Sequence, residues 1–370
     1  MGIVAVRTVG FRNLADGELD LHAPEVFLVG ENGQGKTNLL EAIYLLCYGS
    51  SFRTRRDDQL RRTELDAMSV AGTIDTQTAS RTRIVVRLEH ERKSIERDGK
   101  PVRDRKELIE VMPCIVFCHG DIAFVTGSPE MQRTFFDQTL SLYQPSYIDL
   151  LRRYRRVLKL RNSALKQQQR SMIEIYEQQL VEAGVELQRR RAALVSEFNE
   201  TFSRVFRAVS GLPDELNIRY RPSWRTASLP DAPHADASSV QEVLEILAAR
   251  RERDLALGTT TSGPHRDRYR YSYRQREFTE IASTGQVRLV SLILRSAQAV
   301  FFAAKTGLKP VLLLDDVLLE LDTNRRERFL ERLPEYEQAI YTFLPDEPFS
   351  RYEKTDTLLY RVSEGRFTRR

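Results

Sequence analysis

The chain has 370 residues, enough for two or three domains of roughly 100 to 200 residues each, and its 57 basic and 52 acidic residues leave a net charge of +5. No stretch reaches the ~20 apolar residues of a membrane span, the opening residues carry no signal-peptide core, and Cys47, Cys114 and Cys118 are too few for a disulfide framework. The expectation is a soluble, cytoplasmic protein without a membrane partner.

Residues 1–119 read as short strands, "GIVAVRTV", "EVFLV", "SVAGTI", "RIVVRLEH", "SIERDGK" and "PCIVFCH". Between the second and third stands "GENGQGKT", Gly30 to Thr37, followed by the apolar helical pattern "NLLEAIYLLCYG". Gly, four residues, then Gly-Lys-Thr is the spacing of a phosphate loop. Gly30, Glu31, Asn32, Gly33, Gln34 and Gly35 would turn their N–H groups around an anion, Lys36 would reach the β- and γ-phosphates of ATP, and the Thr37 hydroxyl would bind Mg²⁺. A ligand-free glycine turn is the competing reading, and the strand before and helix after oppose it.

Basic residues cluster next. Forty-eight of the 57 are Arg and nine Lys, a bias that suits phosphate contact and equally follows from a GC-rich coding sequence. "SFRTRRDDQLRR" and "LRRYRRVLKLR", with Tyr154 inside it, are candidate nucleic-acid contacts or solvated faces. From Pro145 to Ser210 apolar residues from Ile173 to Val209 recur every three, four or seven positions, which predicts a long amphipathic helix, one arm of a helical hairpin. "SWRTASLPDAPHADASS" reads as a loop, "SVQEVLEILAARRERDLAL" resumes the helix, and "DRYRYSYR" reads as a strand.

Two later motifs complete an ATPase. Ser283-Thr284-Gly285-Gln286 heads a long helix whose N-terminus offers N–H groups and a hydroxyl to a phosphate. Because the Gly30 loop already holds one nucleotide, Ser283-Thr284-Gly285-Gln286 would serve the ATP of a second subunit, with a capped helix that holds no ligand as the competing reading. In "PVLLLDDVLLELD", Val311 to Leu314 form a buried parallel strand with Asp315 and Asp316 at its carboxyl end. Asp315 would join Thr37 on the metal. Asp316 would polarise the attacking water, so Asp316 and Lys36 are the candidate catalytic residues. The expected fold is α/β, an ATPase head whose phosphate-loop sheet has flanking antiparallel strands, with an inserted, mainly helical second lobe: residues 1–120 and 256–370 form the ATPase lobe and 121–255 the helical lobe.

These residues resemble the ABC-type ATPases of DNA metabolism, the relatives of SMC proteins, and among them the RecF family of bacterial recombination mediators. "FRNL", "GENGQGKTNLLEAIYLL", "SFRT", "GSPEMQRTFFD", "YRRVLKLRNSAL", "TSGPHRD", "STGQVRL" and "LLLDDVLLELD" carry the resemblance. It implies an ATP-dependent homodimer that contacts duplex DNA and junctions of single and double strands, and pathway partners RecR, RecO and RecA. It also implies slow ATP hydrolysis used as a switch, and Leu321 and Asp322 in the loop after the acidic strand. The chain departs from the usual pattern at Leu14, Gln132, Arg268 and Leu319, and Thr342 stands nearest the position of a switch histidine. An SMC-like chromosome-structure ATPase, a transporter ATPase subunit and a monomeric small-molecule kinase are the alternatives.

Overall fold

The computed structural model describes residues 2–76, 80–211, 215–226, 237–321 and 323–370. Most of the loop "SWRTASLPDAPHADASS", the Leu319 side chain and Asp322 lie outside the described residues. The chain divides into two compact units, Met1–Gly120 with Phe302–Arg370, and Asp121–Phe301. The second is thus inserted in the sequence of the first.

The first unit is built on two six-stranded sheets. One is antiparallel, in the order Gly17–Asp20, Gly2–Val9, Ala67–Asp75, Arg81–Glu89, Arg92–Arg97, Lys100–Pro101. The other runs Arg366–Arg369, Thr357–Ser363, Glu25–Val29, Gln338–Phe343, Val311–Leu314, Cys114–Phe117. It is parallel throughout except for its terminal hairpin. Its central strands "EVFLV", "QAIYTF" and "VLLL" and its edge strand "CIVF" are buried throughout, because a sheet covered on both faces has no polar side to supply alternation. The helix Lys36–Tyr48 is apolar nearly all round for the same reason. Its Leu39, Leu40, Ile43 and Leu46 share one core with Val70, Ile84 and Val86 of the antiparallel sheet and Val26, Leu28 and Ile340 of the parallel one.

The second unit is mainly helical. Ser146–Lys166 and Arg170–Ser210 form the hairpin that the apolar spacing requires, with Ile173, Leu180, Leu187, Leu194, Phe198, Phe202 and Val209 all buried. The unit also holds helices Pro129–Tyr143 and Ala237–Leu257, the helix Thr284–Thr306 as far as Phe301, and a three-stranded antiparallel sheet, Arg276–Glu277, Arg268–Tyr273, Leu216–Arg221.

The helix Thr284–Thr306 corrects one sequence expectation. Its 23 residues include an 18-residue stretch of mean hydropathy 1.5, enough to cross a membrane by length and composition, yet 78% of that stretch is buried inside the protein. Its apolarity is that of a core helix.

The "GPHRD" and "FFD" segments meet at a buried cation. Arg191, 2% exposed, donates to both oxygens of Asp137 at 3.0 Å, to Asp267 Oδ2 at 2.9 Å and to the Pro264 carbonyl at 2.7 Å. Asp267 also accepts from Tyr220, Gln188 and the Ser223 amide, and burial holds its carboxyl above the ordinary range. Tyr154, read from sequence as a candidate partner of nucleic acid, is 2% exposed and hydrogen-bonded to His265. Arg161 of the same cluster is fully buried between Glu177 and Asp254. The second crossing between units falls at Phe301–Phe302, against the expected 255–256, because the Arg161–Asp254, Arg191–Asp267, Arg295–Asp121, Gln298–Thr139 and Phe198–Phe301 contacts tie the chain as far as Phe301 into the helical unit.

Candidate nucleotide site

The parallel sheet assembles one end of the site. Val311–Leu314 lies beside Gln338–Phe343, which lies beside Glu25–Val29. Three carboxyl ends therefore converge, where open α/β sheets bind ligands. They carry Asp315 and Asp316, Thr342, and the loop from Gly30 to Thr37.

The loop's backbone needs its glycines. At Gly30 a Cβ would collide with the Val362 carbonyl oxygen, and Gly35, the residue before the helix, has φ of 115°, a left-handed conformation that side chains resist. The strand hairpin after Val362 braces the loop, with Glu364 N–H donating to Gln34 Oε1 and Gly365 N–H to the Gln34 carbonyl.

Lys36 is 3% exposed. Its ammonium donates to the Gly30 carbonyl at 2.6 Å and the Glu31 carbonyl at 3.1 Å, and among the described residues it has no carboxylate in ion-pair distance. A buried positive charge without a counter-charge is costly. An anion in the loop supplies what the protein withholds. Opposite it, Thr37 Oγ1 donates to Asp315 Oδ1 at 2.7 Å. Burial pushes the Asp315 carboxyl up to about 6, against the opposing effect of the Thr37 hydroxyl. Loop and acidic strand thus present a cation to phosphate and an oxygen pair to a metal, the donor set of a metal–nucleotide complex.

Asp316 is held in a left-handed conformation, φ 51°. Thr342 fixes it there, accepting from the Asp316 N–H at 2.7 Å and donating to its Oδ1 at 2.7 Å.

A second set of residues, given no role at the nucleotide from sequence, buttresses the loop. Asn13 donates to the Gly33 carbonyl at 2.9 Å, Asn38 donates to Asn13, and Arg53 to Asn38. Glu41, fully buried, is clamped by Arg12 at 2.8 and 2.9 Å and reached by Ser51 and Arg53. "FRN" and "SFRT" therefore fix the start of the helix after the loop. Arg53, Arg56 and Arg62 of the basic cluster are occupied by Glu41, Asp58 and Asp16. Leu14 is 1% exposed and lies beneath Gly35, so it forms core and offers no stacking surface.

The segment from Ser283 to Gln286 belongs to the other unit. Ser283 N–H donates to Gln286 Oε1 at 2.8 Å and Gln286 N–H to Ser283 Oγ at 3.3 Å, a reciprocal cap. Ser283, Thr284 and Gly285 are exposed. The structure brings together the loop, Asp315 and Asp316; it leaves Ser283, Gly285 and Gln286 as an open, capped helix start.

The RecF/RecN/SMC N terminal domain family matches residues 3–364. A "DNA replication and repair protein RecF" of Treponema pallidum is 42% identical over 357 residues, covering 96% of this chain and 98% of that protein. Among solved structures, "Structure of the recombination mediator protein RecF-ATP in RecFOR pathway" superposes with a TM-score of 0.89 at 25% identity, covering 100% of this chain and 97% of that one. An Smc head bound to the C-winged helix domain of ScpA shares the fold, with a TM-score of 0.57 at 15% identity and 97% of its chain covered. The chain belongs to the RecF group of the RecF/RecN/SMC family of ATPases.

Proposed function

We propose that this protein is an ATP-dependent DNA-binding protein of recombinational repair, acting in the cytoplasm as a nucleotide-driven clamp at gapped DNA. Lys36 and the loop amides bind and orient the phosphates. Thr37 and Asp315 hold Mg²⁺, which when bound neutralises phosphate charge. Asp316, fixed by Thr342, orients and polarises the attacking water, so slow hydrolysis reopens the clamp. Ser283, Gly285 and Gln286 of one copy close over the nucleotide of another, forming a homodimer. RecR, RecO and RecA enter as pathway partners through the resemblance.

The observation that carries the reading is Lys36, a buried ammonium with carbonyl oxygens as its only partners among the described residues, facing the Thr37–Asp315 pair. Lys36→Ala removes that charge. Its ATP affinity and its ATP-stimulated binding to a gapped duplex are expected to fall together, and full ATP-dependent DNA binding by the variant would contradict the proposal.

A further inference from the structure

The three-stranded sheet of the helical unit turns its two faces to different surroundings. Tyr269 and Tyr271, 2% and 0% exposed, point inward, and Tyr220 hydrogen-bonds Asp267 on that side. On the outward face Arg268 stands directly across from Arg221, and Arg270 across from Arg219. All four are exposed; on the third strand Glu277 stands on this side, across from Ser272, while the exposed Arg276 pairs with Tyr273. Like charges directly opposite on neighbouring strands destabilise a sheet. Two such pairs in succession therefore need an external reason. Among the described residues Arg219, Arg221, Arg268 and Arg276 have no carboxylate in ion-pair distance, and Arg270 has only Glu277 at 3.8 Å. A cavity of about 620 Å³ opens here, lined by four arginines, Arg219, Arg221, Arg270 and Arg276, against two carboxylates, Glu277 and Glu280.

We propose that this arginine face binds the sugar-phosphate backbone of a nucleic acid. The proposal rests on the DNA-binding reading above and assigns it a surface. Arginines two apart along a strand are about 6.7 Å apart, on the order of the separation of successive phosphates along one nucleic-acid strand. Guanidinium forks suit phosphate oxygens bidentately. Tyr269 and Tyr271 are buried on the opposite face and cannot stack a base, so the arginine face grips backbone and offers no aromatic platform to single-stranded bases. A protein partner fits less well, because among the described residues Ile281 is the only apolar side chain lining the cavity, and protein interfaces centre on buried aromatic or aliphatic anchors.

The test is fluorescence anisotropy of labelled mixed-sequence duplex and single-strand oligonucleotides across a series of salt concentrations. It compares wild type, Arg219→Gln/Arg270→Gln, and a charge-matched control, Arg250→Gln/Arg253→Gln, on the exposed surface of helix Ala237–Leu257. The sheet variant is expected to bind every sequence more weakly, with the slope of log affinity against log salt falling by about 0.9 for each duplex phosphate that is no longer neutralised. The control keeps the wild-type slope. ATP affinity and the unfolding midpoint stay at wild-type values in both, which excludes misfolding. A sheet variant with the wild-type slope would overturn the proposal, as would a control whose slope falls as much. Wild-type slope together with abolished binding to polyglutamate would assign the face to an acidic protein segment and overturn it equally. Failure of wild type itself to bind DNA would instead reject the functional reading beneath it.

Discussion

Thr37 Oγ1 lies 2.7 Å from Asp315 Oδ1, although 278 residues separate them in the chain. Nothing local unites the two; the parallel sheet does. Thr37→Val deletes the hydroxyl and leaves Asp315 without that donor. The gain in nucleotide affinity on adding Mg²⁺ is expected to shrink roughly ten- to hundredfold, the scale of a hydrogen bond to a charged group. Affinity in the presence of a chelator should change little. Titration of a fluorescent ATP analogue with and without Mg²⁺ measures both, and an unaltered metal effect would contradict the assignment.

Asp316 depends on Thr342 in the same way. Thr342→Val removes both hydrogen bonds that fix Asp316, so steady-state phosphate release is expected to drop by about tenfold or more. Nucleotide affinity should remain within a few-fold of wild type. Equal losses in binding and turnover would show that Thr342 supports the fold and not the positioning of Asp316.

The loop and the acidic strand were legible in the sequence because each is a local pattern: glycines at fixed spacing, and four apolar residues ending in carboxylates. The placing of Gln338–Phe343 between their strands was not, so Thr342 was a switch-position candidate without a partner until the parallel register set it against Asp316. The short strand Leu216–Arg221 also escaped, because "LNIRYR" follows a 41-residue helix and acquires its meaning from its pairing with Arg268–Tyr273. Arginine clusters were ambiguous for a physical reason. A guanidinium clamped on buried Glu41 and one facing solvent have the same one-letter code, and only the fold tells Arg12 from Arg219.

His265 makes the helical unit sensitive to acid. Its Nδ1 meets the Tyr154 hydroxyl at 2.7 Å and its Nε2 the Thr260 carbonyl at 3.0 Å. Burial lowers its pKa to about 4 from the ordinary 6.5. The folded state thus binds fewer protons than the unfolded chain between these values, so this contribution is complete above pH 6.5 and is lost as pH falls towards 4. One such group contributes a slope of about 1.4 kcal/mol per pH unit and a total of about 3 kcal/mol. Denaturant midpoints of wild type and His265→Gln across that range should converge towards pH 4. Parallel curves would show that His265 titrates normally.

Arg191 is the charge on which the second unit's polar core depends. Arg191→Met leaves Asp137 and Asp267 buried without their shared cation, and the expected loss of stability is about 3–5 kcal/mol. Chemical unfolding followed by the fluorescence of Trp224, fully buried in that unit, reports it. A loss below about 1 kcal/mol, the scale of an exposed pair, would mean that the network contributes no more than surface charges do.

Nucleotide shared between two copies is the centre of the proposed mechanism, and light scattering in Mg-ATP of two variants tests it most directly. Asp316→Asn keeps side-chain volume while removing the charge that orients water, so it should bind ATP, hydrolyse it far more slowly and accumulate as a dimer. Gly285→Arg places a long side chain at the exposed helix start that would close over the partner's nucleotide, so it should bind ATP and stay monomeric at every ATP concentration. A monomeric Asp316→Asn protein with ATP bound, or a dimeric Gly285→Arg protein, would contradict the shared-nucleotide mechanism.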